Sequence, residues 1–333
     1  MSKLSDLLAT GRILLADGAT GTNLITMGLD SGYPPELWNV EHPERIRALH
    51  RGFLDAGSDI LVTNSFGGTR RRLHLHNLQD RVKELNARAA EIAAEESANE
   101  GRPIVIAGSV GPTGDLFAPL GPLTFEQAVE AFAEQIEGLK LGGADVAWIE
   151  TMSAPEEIAA AAEAARQVGL PYTVTVSFDT AGRSMMGLTP ADFGRTMRDM
   201  ASPPEAIGSN CGVGASDLVF AMLDLIDNAG DLPAIAKANA GIPHVHGDGV
   251  VYSGTPDLME DYTRLAIDAG ARIVGGCCGN TAEHVARMRK AIDTHVRGER
   301  PTLEEIVDRL GPLVSPPSTK TSNRGETRRR RRA

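Results

Sequence analysis

Short apolar runs rich in β-branched residues alternate along the chain with longer amphipathic stretches, the rhythm of parallel strands joined by crossover helices. Strands are predicted at 13–16, 59–63, 104–110, 145–150, 172–178, 206–210, 234–238 and 271–275. Helices are predicted at 43–56, 80–98, 124–141, 155–167, 190–200, 215–228, 256–269 and 281–295, several of them opening on a proline or a capping residue. A further short helix around Ser5 to Leu8 is expected to cover one end of the fold.

Eight strand–helix units in about 300 residues match the size and rhythm of a (β/α)8 TIM barrel, an α/β fold, here read as a single domain over residues 1–311. A doubly wound open sheet is the alternative. Residues 312–333, rich in serine, proline and arginine, read as a disordered basic C-terminal tail that has too little apolar surface to order itself.

Composition adds limits. The net charge of -11 includes that closing segment, where Lys320, Arg324 and Arg328 to Arg332 face only Glu326, so the remainder is more acidic still. An acidic surface repels phosphate, and no nucleic-acid partner is expected. No stretch reaches the length of a membrane span, and the N-terminal residues resemble no secretory signal, so a cytoplasmic location is expected. Self-association into a homo-oligomer is compatible with the sequence.

The three cysteines change the picture more. An odd number in a chain of 333 residues argues against a disulfide framework. Cys211 follows the sixth predicted strand, and Cys277 and Cys278 follow the eighth. Barrel enzymes place their chemistry on that rim. Three thiolates flanked by glycines, with a fourth position open, are the donor set of a catalytic Zn2+ site. Such a site lowers the pKa of a bound thiol, so a substrate thiol is its natural fourth ligand.

Other strand ends carry Asp17, Asn64, Ser65, Glu150, Thr151, Asn210 and Asn239. An amino-acid substrate offers an ammonium to a carboxylate and its own carboxylate to the backbone N–H groups of a glycine turn such as Gly18 to Gly21. Cys211 alone could be an acyl-transfer nucleophile, but no histidine stands in a partner motif. The pairs His74/His76 and His244/His246 read as polar loop residues, and Gly108 to Gly114 lacks the lysine of a phosphate-binding loop.

At Asp17-Gly18-Ala19-Thr20-Gly21-Thr22, Thr63-Asn64-Ser65-Phe66, Gly108-Ser109-Val110-Gly111-Pro112, Glu150-Thr151, Asn210-Cys211-Gly212 and Gly275-Gly276-Cys277-Cys278-Gly279 the chain resembles the homocysteine S-methyltransferase family. That family includes betaine-homocysteine methyltransferases and the homocysteine-binding module of cobalamin-dependent methionine synthase. The resemblance implies a zinc-bearing barrel, homocysteine as acceptor and methionine as product. It implies Cys211, Cys277 and Cys278 as zinc ligands, Glu150 as partner of the homocysteine ammonium, and the Asp17-Gly18 turn at the amino-acid end. Asn64, Ser65 and Asn210 are further candidates for substrate binding.

A chain of this length leaves no room for separate folate and corrinoid domains, so the methyl group is expected from a small onium donor, glycine betaine first, giving dimethylglycine. The alternative is a homocysteine-activating subunit of a split methionine synthase served by a corrinoid protein. Gly67 and Thr151 stand where the animal betaine enzymes have tyrosines, which favours that alternative. A non-catalytic metal-binding barrel is a third reading. A quaternary ammonium needs aromatic faces. Tyr33, Trp38 and Phe66 are the rim candidates, with Trp148 and Phe178 expected in the core.

Overall fold

The structure, a computed structural model, describes residues 2–246 and 249–314. Ten strands occur in chain order: β1 (Leu14–Leu15), β2 (Ile60–Val62), β3 (Val105–Val110), β4 (Val146–Met152), β5 (Tyr172–Val176), β6 (Ile207–Cys211), β7 (Ala234–Ala238), β8 (Pro243–His246), β9 (Gly249–Tyr252) and β10 (Ala271–Gly276). Eight of them form one parallel sheet in the order β1-β10-β7-β6-β5-β4-β3-β2. The open edges meet: Asp17 N–H donates to the Ile60 carbonyl (3.1 Å) and Asp59 N–H to the Leu15 carbonyl (2.7 Å), so the sheet curls into a nearly closed barrel. The (β/α)8 architecture expected from the eight-beat rhythm is the one observed.

The predicted helices appear within a residue or two of their expected limits, as at Pro155–Val168, Ala215–Asn228 and Pro256–Ala269. Their ends follow local chemistry. Thr124 and Gln127 make a reciprocal capping box, Thr189 and Thr255 cap helices whose first residue is proline, and Gly169 and Gly270 close helices in the left-handed conformation. The helix Leu303–Leu310 escapes prediction because only Ile306 and Leu310 of its eight residues are buried, too short an apolar signal to read. The β8–β9 hairpin replaces the expected polar loop at His244 to His246, the two strands pairing antiparallel. Val314 N–H donates to Asp217, and the rest of the expected tail, 315–333, lies outside the described residues.

Two apolar layers result. One lies between the sheet and the outer helices. The other fills the barrel, where Leu14, Ile60, Val62, Val105, Val146, Trp148, Ile235 and Ile273 meet Leu4, Leu7 and Leu8 of the helix Lys3–Ala9, which plugs the N-terminal end as anticipated. Asp59 ties that end together, pairing with Arg12, Arg102 and Arg289 and accepting from Leu15 N–H (2.9 Å).

Period-two alternation then does the positioning. On four strands the inward-facing register turns from apolar to polar as it rises: Val105-Ala107-Ser109 on β3, Val146-Trp148-Glu150 on β4, Ala206-Gly208-Asn210 into and along β6, and Ile235-Lys237 on β7. The chemistry is therefore confined to the C-terminal mouth.

One core residue predicts a pH dependence. His50, fully buried on the helix Pro43–Asp55, has no hydrogen-bond partner on either ring nitrogen, and burial pushes its pKa from 6.5 down to about 4. Because the folded state resists the proton that the unfolded chain accepts, stability is full above pH 6.5 and falls as pH drops toward 4. Urea unfolding at about pH 7.5 and about pH 5 should show wild type losing about 2 kcal/mol more than His50→Leu. Equal losses in the two proteins would refute the assignment.

Candidate active site at the C-terminal mouth

The three cysteines meet at the barrel mouth, their Sγ atoms all within 4.8 Å of one another. Cys211 ends β6, and Cys277 and Cys278 follow β10. Cys211 and Cys278 sulfurs are 3.8 Å apart, and Zn–S bonds of about 2.3 Å in a tetrahedral site require a sulfur separation of about that length. All three are half-buried free thiols, soft donors suited to zinc. Hydrogen bonds from the Cys211 and Cys277 thiols push Cys278 down to about 3, while hydrogen bonding to Cys277 and Cys278, with burial, pushes Cys211 up. The trio thus already favours one negative charge, and a cation bound there would displace the remaining protons.

Strain and hydrogen bonds hold the trio in place. Cys211 has φ +62° and Thr151, at the facing end of β4, φ +61°, a region costly for residues other than glycine. Asn210 accounts for the second: its Oδ1 accepts from Thr151 N–H (2.8 Å) and Thr175 Oγ1 (2.7 Å), while its Nδ2 donates to Thr151 Oγ1 (2.7 Å) and reaches Cys277 Sγ (3.8 Å). Asn239 links the two cysteine loops, accepting from Cys278 N–H (3.0 Å) and donating to the Gly212 carbonyl (2.8 Å). At Gly18 a Cβ would stand 2.6 Å from the Asn280 carbonyl, so only glycine lets the first strand-end turn approach the cysteine loop.

Beside the sulfurs lies Glu150. Its Oε1 accepts from Ser109 Oγ (2.5 Å), and burial, partly opposed by Lys237, pushes it up to about 7. Lys237 is the residue that sequence reasoning passed over, although a lysine within an alanine-rich strand was the available signal. It is buried, donates to Asp17 Oδ1 (2.9 Å) and lies 5.9 Å from the Trp148 ring centroid. Burial alone would lower Lys237, but attraction to Asp17 and then Glu150 outweighs it and its pKa is raised. Burial also raises Asp17, yet the short contact to Lys237 and the Val62 N–H bond (2.7 Å) both favour its carboxylate, so the two form an ion pair.

The sulfurs open into a cavity of about 580 Å3, within the range of small-molecule sites. Cys211, Cys277, Cys278, Gly18, Asn64, Ser65 and Glu150 all line it. Asp17 and Asn210 lie behind the lining, their polar atoms engaged with protein. The Asn64 amide is likewise engaged, donating to the Pro35 carbonyl (2.7 Å) and Asn39 Oδ1 (3.0 Å), and Ser65 Oγ donates to the Ser109 carbonyl (2.8 Å). These two shape the second strand-end loop. A larger groove of about 1050 Å3 is lined by the helices Phe125–Leu141 and Pro155–Val168 and shares no lining residue with the cavity of the cysteines.

The family model described as homocysteine S-methyltransferase matches residues 14–292, nearly the whole barrel. The chain belongs to the homocysteine S-methyltransferase family. Among curated relatives of this homocysteine S-methyltransferase family member, it is 30% identical over 322 residues to methionine synthase of Mycobacterium leprae (strain TN), covering 89% of the chain and 26% of that protein. The Mycobacterium tuberculosis (strain ATCC 25618 / H37Rv) methionine synthase is 29% identical over 308 residues, with 87% and 25% covered. The chain thus spans about a quarter of the length of these relatives. Among solved structures, the metallated form of the homocysteine methyltransferase MmuM from Escherichia coli superposes with a TM-score of 0.72 at 25% identity, covering 86% of this chain and 99% of that one.

Aromatic residues at the mouth differ from expectation in one case. Tyr33 and Phe66 line the cavity, but Trp38 does not: it is buried, with the Arg45 guanidinium 4.6 Å from its ring centroid. Trp148 and Phe178 are in the core as expected. Among the described residues no helix is long and apolar enough to cross a membrane.

Proposed function

We propose that this methyltransferase makes methionine from homocysteine with Zn2+ at Cys211, Cys277 and Cys278, and that its methyl donor is glycine betaine, leaving dimethylglycine. The observation that carries the reading is the sulfur trio, all within 4.8 Å and with Cys211 and Cys278 at the 3.8 Å of a tetrahedral site, facing a cavity of about 580 Å3. Zinc held there would lower the pKa of the homocysteine thiol and present it as a thiolate at neutral pH.

The chain's own groups orient the acceptor. Glu150 receives the homocysteine ammonium, which stabilises the ionised carboxylate against burial, and the turn at Gly18 to Gly21 faces the substrate carboxylate. Asn210 and Asn239 hold the ligand loops at fixed separation. The substrate sulfur attacks the methyl carbon in line, forming the S–C bond as the C–N bond breaks and its electron pair returns to nitrogen. No proton need be delivered to this leaving group, whose nitrogen becomes neutral as it takes the electron pair.

The test is direct. Zinc-loaded protein given homocysteine and glycine betaine should release methionine and dimethylglycine in equal amounts. No product over a wide range of donor concentrations would sink the betaine assignment.

The second reading, a methyl-corrinoid protein as donor, is favoured by the methionine synthase relatives and by exposed Leu75, Leu116, Leu120, Met185 and Val251 in the segments that follow β2, β3, β5 and β7, apolar surface suited to a protein partner. It requires silence with betaine and activity with the methylated corrinoid protein. A non-catalytic metal barrel would instead bind zinc whose X-ray absorption spectrum homocysteine leaves unchanged.

A further inference from the structure

On the wall of the active-site cavity two charged groups stand without ion-pair partners among the described residues. Glu36 lines the cavity and is only 5% exposed, and its carboxylate accepts from backbone only, from Gly67 N–H at Oε1 (2.7 Å) and from its own N–H. Burial raises its pKa, and its nearest cationic influences, Arg72 and His76, act on it across space rather than in contact. An ionised carboxylate so placed lacks the cation that would offset its desolvation.

Arg72 is the matching cation. It belongs to the run Arg70-Arg71-Arg72, in which Arg70 pairs with Glu134 and Asp80 and Arg71 pairs with Asp115. Among the described residues the Arg72 guanidinium makes neither an ion pair nor a hydrogen bond, and it is the one of the three that lines the cavity holding the cysteines. A planar fork left open on a cavity wall suits a carboxylate. The same cavity wall carries two aromatic rings, Phe66 and Tyr33. Phe66 packs against Gly111, where a Cβ would stand 2.6 Å from the ring, and Tyr33 is fixed by its hydroxyl donating to Glu41 (2.6 Å).

We propose that Glu36, Arg72, Phe66 and Tyr33 form the methyl-donor site, and that it selects a small zwitterionic onium, its cationic centre against Glu36 and the rings and its carboxylate on Arg72. The inference rests on the homocysteine methyltransferase reading and deepens it: the donor needs both charges. Quaternary ammonium and sulfonium centres share this chemistry, since each presents a delocalised positive charge to an aromatic face. Glycine betaine and dimethylsulfonioacetate separate the two sources, and the methyl ester of glycine betaine removes the carboxylate.

The experiment uses zinc-loaded, homocysteine-saturated full-length protein, with each probe titrated calorimetrically and turned over in steady state. Wild type should bind glycine betaine or dimethylsulfonioacetate at least tenfold more tightly than the ester. Arg72→Gln should abolish that preference, raising the donor KM more than tenfold while the homocysteine KM and zinc content stay within twofold. Arg72→Lys should recover part of the loss. Glu36→Gln keeps the oxygen that accepts from Gly67 N–H, so the loop should survive while affinity for all three onium probes falls. Arg71→Gln, with its partner Asp115 outside the donor site, is the control and should change neither constant.

Wild-type protein that binds neither zwitterion, or binding that both Arg72→Gln and Glu36→Gln leave intact, overturns the donor site. Binding without methyl transfer upholds it while refuting betaine as donor, and transfer that is insensitive to both variants does the reverse.

Discussion

Cys278→Ser is expected to bring zinc content from one equivalent to background and methionine formation to below about 1% of wild type, with the fold intact. The reasoning is geometric. An open catalytic site already uses the minimum of three protein ligands, so losing one sulfur leaves two thiols that cannot define a tetrahedral position. Cys278 is also the sulfur on which the other two thiols converge as donors, and serine oxygen is a harder and far less acidic replacement. Because the cysteines sit on the rim rather than in the apolar layers, circular dichroism and the unfolding midpoint should move little. Zinc by elemental analysis and methionine by mass spectrometry are the readouts. A zinc-free variant with wild-type rate would remove metal from the mechanism.

The second large effect concerns stability. Lys237→Met should destabilise the protein by about 3 to 5 kcal/mol, because it leaves the Asp17 carboxylate buried with only the Val62 N–H as partner. The double variant Asp17→Asn/Lys237→Met should regain most of that loss, since neither residue then strands a charge. Urea denaturation of the wild type, both single variants and the double variant closes the cycle, and additive effects would show that the pair is not coupled. The double variant should still handle homocysteine poorly. Lys237 opposes the burial that raises Glu150, so without it Glu150 would be protonated over more of the neutral range and present less charge to the substrate ammonium.

The eight barrel strands with the helices between them, the barrel and the cysteine rim were legible in the chain, because each rests on local periodicity or on residue type at a strand end. The recurrence of apolar runs along the chain carries the barrel, and a cysteine at the end of one strand and a pair at the end of another carry the metal-site hypothesis. The same locality explains the limits. Asp17 reads as an available carboxylate until β7 is brought across the barrel and Lys237 takes its oxygen. Asn64 reads as a binding residue until its amide meets Asn39 and Pro35. Trp38 reads as a rim aromatic until Arg45 covers it inside the fold.

The donor end of the cavity lay further still from view. Glu36 and Arg72 are ordinary charged residues in sequence, thirty-six positions apart, and nothing in their neighbours distinguishes Arg72 from Arg70 or Arg71. Ion pairing made across helices and loops satisfies two of the three arginines and leaves the third facing the cavity. By itself, then, the sequence determined the barrel rhythm and the placing of all three cysteines at strand ends, since both are written in spacing along one dimension. Only the tertiary structure decided which charges are neutralised and which remain open to a ligand, because burial and pairing are properties of residues that meet in space.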